Sequence, residues 1–177
     1  MLLASNQARL ARNRHHKVSH MLPPIVQTAI SMPQVRKPTE YLTHARIEQL
    51  SELNIFLLVK EGFALKDVQA MVSLSELYQS QKVIERILGK PCRLKQGKSD
   101  ESAASRLSAL QSAIAFQYAK VLEQATIVFG SLRLAEEWLA KPCRKLADNI
   151  PINLVGNPIG FKVIEDYLER VEMGVYQ

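Results

Sequence analysis

The chain is poor in the side chains that carry most enzymatic and metal chemistry. Across 177 residues it holds four histidines, two cysteines and one tryptophan, and no histidine follows His44. A histidine-based catalytic dyad would therefore have to sit on the least patterned part of the sequence, without a rigid support. Cys92 and Cys143 show no CxxC spacing, which argues against a zinc site and against a disulfide-stapled secreted fold and points to a reduced, cytoplasmic setting. The motifs GxSxG, GxxxxGK[ST] and HExxH are all absent, which removes the usual esterase, phosphate-loop and metalloprotease readings. No enzyme activity, cofactor or metal ion is expected. No apolar run approaches the roughly eighteen residues of a membrane span, and the Met-Leu-Leu-Ala start lacks the long apolar segment of a signal peptide. Alternating strand patterns of useful length are also missing. The expected fold is all-α.

Acidic residues are scarce in one place only. Residues 1–46 carry seven Lys and Arg against a single acid, Glu40, whereas the rest of the chain balances sixteen of each sign. The whole net charge of +6 thus belongs to the leader. Such an arm suits polyanion binding through counterion release, with a solvated tail as the plainer reading. Its Arg-rich composition is also that of an organellar transit peptide, with Met21 or Met32 as alternative starts. Residues 1–20 are polar and end in His15, His16 and His20, which have no suitably spaced carboxylate or cysteine to share a metal. Pro23, Pro24, Pro33 and Pro38 block any long helix there. Residues 1–42 are accordingly read as a basic, proline-containing leader, with order beginning near Thr43.

The remaining sequence reads as helices. Ile47, Leu50, Leu53, Phe56, Leu57 and Val59 follow roughly helical spacing up to Gly62, and a short helix follows from Ala64 to Val72. Ser73 or Ser75 is placed to cap a third helix running to Leu88, closed by Gly89 and Pro91. Ser99 is placed to cap a fourth, with Leu107, Leu110, Ile114, Val121 and Val128 on one stripe and Gly130 as the stop. Ser131 starts a fifth helix with Leu134, Ala135, Trp138 and Leu139. Pro151 opens a short one, and the last, about Gly160 to Met173, lines up Val163, Ile164, Tyr167, Leu168 and Val171. Glu165, Asp166, Glu169 and Glu172 fit its solvated face. The tetrapeptide Lys-Pro-Cys-Arg occurs at 90–93 and again at 141–144, each time after a helix end; the flanks differ, which favours coincidence over a duplicated module.

One stretch outside the leader is strongly basic. Lys82, Arg86, Lys90, Arg93, Lys95 and Lys98 face only Glu85 between residues 82 and 98. If the third helix is a recognition helix, Gln81, Lys82 and Arg86, with Arg93 and Lys95 beyond it, are the candidate DNA-binding residues, and Gln79 is close by. A basic solvated turn is the competing reading.

The most specific pattern lies near the end. Val128-Phe129-Gly130, Ala135, Trp138-Leu139, Pro142, Leu146, Pro151, Leu154, Gly160, Val163, Leu168, Glu172 and Gly174-Val175-Tyr176 fall in order over about fifty residues. In this spacing the segment resembles the toxin-binding domain of the Xre/MbcA/ParS antitoxin family. Leu94, Glu101-Ser102 and Arg106-Leu107 resemble, with two extra residues, the segment that follows the family's Xre-type helix-turn-helix. The paired arginines of the family's recognition helix are replaced here by Lys82-Val83-Ile84-Glu85-Arg86. The resemblance implies a helix-turn-helix domain over residues 43–122 and a toxin-binding domain over 123–177. It also implies an NAD⁺-consuming RES-domain toxin as partner, obstructed by the C-terminal region. Arg170, Glu172, Gly174, Val175, Tyr176 and Gln177 are the expected toxin contacts, with Tyr176 stacking in the cleft and the Gln177 carboxylate meeting an arginine. Promoter DNA of its own operon, bound as a homodimer within a larger complex, is the second implied partner. Phe129, Leu139, Val163 and Leu168 are expected in the core. Two rivals stand beside this reading: a helix-turn-helix repressor without a toxin, and a helical interaction module of unrelated function.

Overall fold

The computed structural model describes residues 36–89 and 105–174. Their regular elements are all helices, with two isolated β-bridges and no strand among the described residues. The all-α expectation holds. In order, α1 spans Pro38–Thr43, a 3₁₀ turn Ile47–Gln49, α2 Glu52–Glu61, α3 Leu65–Ser73, α4 Glu76–Ser80 and α5 Val83–Leu88. Then come α6 Ala109–Phe129, α7 Leu132–Ala140, a 3₁₀ turn Arg144–Leu146, α8 Pro151–Leu154 and α9 Pro158–Glu172. No helix among the described residues is long and apolar enough to cross a membrane.

Helical order starts before Thr43. Pro38 opens a short helix of six residues, at the first position, where its missing N–H is no loss. Thr39 and Leu42 of α1 are buried, and the Thr39 hydroxyl and amide both donate to the buried Glu123 carboxylate on α6, which Lys37 approaches at 3.4 Å. A buried carboxylate is tolerable only with such partners, so α1 belongs to the packed unit. His44, in the left-handed region at φ 55°, then lies 3.0 Å through Nε2 from Asp67 of α3.

The fourth helix is shorter at its start than the sequence indicated. Ser108, not Ser99, is the cap: its hydroxyl accepts from Gln111 N while the Gln111 side chain reaches back to Ser108 N. Ser99 lies outside the described residues. Residues just before Ser108 are extended and pair with the α2–α3 junction, Leu107 N donating to the Phe63 carbonyl and Leu65 N to that of Ser105, each at 2.9 Å. Arg106 fastens the same junction through Glu61 at 2.9 Å and the Gly62 carbonyl at 2.8 Å. Gly62 has φ 94°, and a Cβ there would lie 2.3 Å from the Leu107 carbonyl oxygen, so only glycine fits. The buried stripe of α6 is Ala115, Tyr118, Ala119, Val121, Leu122 and Ala125, whereas Leu110 is 72% exposed. Small residues at that stripe let α1, α2, α5, α7 and α9 all pack closely on α6. The expected boundary between residues 122 and 123 falls inside this helix.

The third helix is two. Ser75 caps α4 by accepting from Tyr78 N, as expected, but the chain breaks at Gln81 and Lys82, where Lys82 takes φ 51°, and restarts as α5. Tyr78, Val83 and Ile87 are all buried. In one continuous helix Tyr78 and Val83, five residues apart, would point about 140° from each other. The left-handed residue resets the phase so that both reach the core.

Candidate functional site

The C-terminal helices carry two surface features. After the left-handed Gly130, the Ser131 hydroxyl accepts from Leu134 N and starts α7, whose Ala135 and Leu139 are buried. Three aromatic rings then follow one another across the α6–α7–α9 seam. Phe129 and Trp138 lie 5.3 Å apart, tilted, and Trp138 stacks on Tyr167 at 5.6 Å with planes 4° apart. Beside them an open depression of about 460 Å³ is lined by Leu134, Glu137, Lys141, Cys143 and Arg144. The Trp138 Nε1 is shielded from solvent with no acceptor among the described residues. Cys143 follows the second Lys-Pro turn, half-buried; Cys92 and the first tetrapeptide lie outside the described residues.

The second feature is the length of α9 and its exposed end. Asn157 Oδ1 accepts from Ile159 N and Gly160 N, and Pro158 fills the first position, so the helix starts two residues before the expected Gly160. Gly160 is there for close packing: a Cβ would meet the Leu154 carbonyl oxygen at 2.4 Å. Ile164 and Leu168 are buried, but Val163, expected inside, is 43% exposed, and Phe129 is half-buried. Residues 160, 164 and 168 set the inner face, and Val163 falls off it. Glu165 also departs from expectation. It is buried rather than solvated, ion-paired with Lys120 from α6 and with Lys162 at 3.5 Å. Lys162 further meets Asp166 at 2.9 Å, and its pKa is raised by that hydrogen bond and by the two carboxylate charges. Arg170 and Glu172 are exposed near the end of α9, the Arg170 Nε donating to the Asp166 carbonyl at 2.9 Å. Gly174 takes φ 68°, the left-handed stop expected of it. Val175, Tyr176 and Gln177 lie outside the described residues.

The candidate DNA-binding residues are not gathered on one helix. Gln81 and Lys82 form the break between α4 and α5, and Lys82 Nζ lies 3.8 Å from Glu85. Arg86 turns toward the C-terminal helices: Nη1 donates to Asn153 Oδ1 at 3.0 Å and Nη2 to Gln81 Oε1 at 3.1 Å. Burial raises the Tyr118 pKa, and the Arg86 guanidinium partly offsets it. Arg93 and Lys95 lie outside the described residues, as do Leu94, Glu101 and Ser102. Among the described residues no cluster of His, Cys, Asp and Glu could hold a metal ion.

Comparison with known families fixes on the same helices. Residues 124–174 match the antitoxin Xre/MbcA/ParS C-terminal toxin-binding domain. The match runs from within α6 to Gly174 and takes in the aromatic seam and all of α7, α8 and α9. The match likens this segment to a domain through which antitoxins bind toxins. Among curated proteins no relative matches the chain.

The sequence left two participants of this region unnoticed. Asn157, immediately before Pro158, is a helix-start signal that could have been read. Lys120, the partner of Glu165, could not: the two are 45 positions apart and meet only once α9 lies on α6.

Proposed function

We propose that this protein is the antitoxin of an NAD⁺-consuming RES-domain toxin and blocks the toxin's cleft with the chain at and beyond the end of α9. The match of residues 124–174 to the antitoxin toxin-binding domain carries the reading. The exposed Arg170 and Glu172 support it, because they lie at the solvent-facing end of α9, which the left-handed Gly174 closes. Tyr176 then supplies a large aromatic anchor at low entropic cost. The test is neutralisation in cells expressing the toxin. Removing Val175 to Gln177 leaves every described helix complete, so the variant should fold, bind less well and let NAD⁺ fall. Tyr176→Ala should act in the same direction and more weakly, at about 2 kcal/mol of binding. Full protection by the truncated chain would refute occlusion by this end.

Repression of the protein's own operon, by a homodimer, is the second part of the proposal. Helices α3 and α4, joined by a two-residue turn, support it, as does the basic stretch from residue 82 to 98. Neutralising Arg93 and Lys95 should lower the salt dependence of promoter binding by roughly one slope unit per lost phosphate contact. Removing residues 1–35, which spares α1 and its bonds to Glu123, separates the basic leader from this stretch. If that removal abolishes binding while the double neutralisation changes nothing, the contacts belong to the leader. A repressor without a toxin partner is the rival, and a neighbouring gene for a RES-domain protein discriminates between the two.

A further inference from the structure

Helix α2 is apolar on both sides and buried on neither. Six of its ten residues, Leu53, Ile55, Phe56, Leu57, Leu58 and Val59, are aliphatic or aromatic, yet none is fully buried. Ile55, Leu58 and Val59 are half-buried, and the helix packs on α6. On the opposite side Leu53, Phe56 and Leu57 are 64%, 58% and 49% exposed. A helix hydrophobic all round is ordinarily covered all round, and contiguous apolar surface on a soluble domain marks an interaction site.

The charges framing this face indicate what covers it. Glu52 and Lys60 are four residues before and four after Phe56, so all three lie close together in azimuth on one side of the helix. Both are exposed, and neither side chain has an ion pair or hydrogen bond among the described residues. Glu61, by contrast, is already engaged by Arg106. A twofold axis passing beside Phe56 runs a second α2 antiparallel to the first. It sets each Glu52 against the other copy's Lys60, and the two Phe56 rings meet near the axis with Leu53 and Leu57 alongside. The face is thus complementary to itself in shape of charge as well as in apolar character, which an isologous interface requires. We infer that α2 is a homodimer interface, with a second copy of this chain laid antiparallel across Leu53, Phe56 and Leu57. This deepens the two-copy part of the proposed function but rests on α2 alone: a dimer formed through another surface would sink this inference and spare that reading.

The experiment is sedimentation equilibrium of the full chain over a concentration series, with circular dichroism to verify that each variant stays helical. The wild type should dimerise, and Phe56→Ser should weaken the dimer on the order of thirtyfold or more, since an interface-centre aromatic is lost from both copies. Because these side chains face solvent in the monomer, the variant keeps its fold. Glu52→Lys alone and Lys60→Glu alone should each weaken association, and the two together should restore it. That restoration distinguishes the antiparallel pairing from general stickiness. A wild-type chain that stays monomeric up to hundreds of micromolar overturns the inference. So does a dimer indifferent to Phe56→Ser, or one that the double charge swap does not rescue.

Discussion

Helices α4 and α5 on one side, and α9 on the other, start from much the same sequence signals and end differently. Each run opens on a small polar cap, Ser75 or Asn157, and each closes at a left-handed glycine, Gly89 or Gly174. Yet α9 is unbroken over 15 residues, while the other run breaks after Ser80. The difference is phase. Along α9 the buried Ile164 and Leu168 are four apart, with the half-buried Phe161 and Val171 three before and three after. In the other run Tyr78 and Val83 are five apart, and one α-helix cannot turn both inward. A run of apolar residues bounded by a cap and a stop defines an ordered segment. Only the spacing inside it says whether that segment is one helix.

The largest test of the comparison is at Gly160. Substitution by alanine forces a Cβ against the Leu154 backbone, which has no flexible end to give way, and should cost about 3 kcal/mol in chemical denaturation. An unchanged midpoint would mean that α9 does not lie against α8 as described.

Tyr78 comes next, as the anchor of the broken run. Its hydroxyl donates to the Tyr118 carbonyl at 2.9 Å, and the rings meet edge-on at 5.5 Å. Tyr78→Phe should cost about 1–1.5 kcal/mol. The same phenol sets an alkaline limit. Burial raises the Tyr78 pKa well above the ordinary 10.0, with the Tyr118 and Glu136 charges adding to it, and burial raises Tyr118 too. The unfolded chain therefore releases these protons first. The stability is whole below about pH 10 and falls as pH rises beyond it. Denaturation midpoints followed from pH 8 to 11 should show that fall, and Tyr78→Phe should make it shallower; parallel profiles would contradict the burial.

Cap removal is a smaller effect. Asn157→Ala strips the acceptor from Ile159 N and Gly160 N and should cost about 1 kcal/mol, read as a lower thermal midpoint.

Lys82 gives the smallest effect and the clearest sign. At φ 51° a glycine relieves strain, so Lys82→Gly should stabilise by roughly 0.5–1 kcal/mol. Were α4 and α5 one continuous helix, the same change would destabilise by about 1 kcal/mol. A thermal melt decides between them.

What could be read beforehand was local chemistry. Ser75 and Ser131 cap the helices they were expected to cap, Pro151 opens α8, and Gly130 and Gly174 turn left-handed where a stop was needed. Each of those depends on a few adjacent residues. The misreadings were of matters settled at a distance. Residues 105–107 look like helix because Leu107 matches a stripe, but the Leu107 N–H and the Ser105 carbonyl are claimed by the α2–α3 junction some forty positions earlier. That a short helix starts at Pro38 is not legible, because nothing nearby shows that Glu123 awaits Thr39. Glu165 looked solvated because Lys120 is far away in sequence. For the candidate site, the pattern around Trp138 was legible because the family's spacing is local to three consecutive helices. That Arg86 would reach across to Asn153 was not.

The shared central helix has a practical consequence for anyone dissecting this molecule. A fragment cut at residue 123 would begin in mid-helix, stripped of Tyr118, Lys120 and the turns on which α9 rests. Its buried face would open to water and Glu165 would lose a counter-charge. The natural place for the scissors is just ahead of Ser108, where the chain is extended and a ready-made cap lets α6 begin unaided. A C-terminal fragment therefore needs all of α6, and even then the face of α6 that meets α1, α2 and α5 is left uncovered.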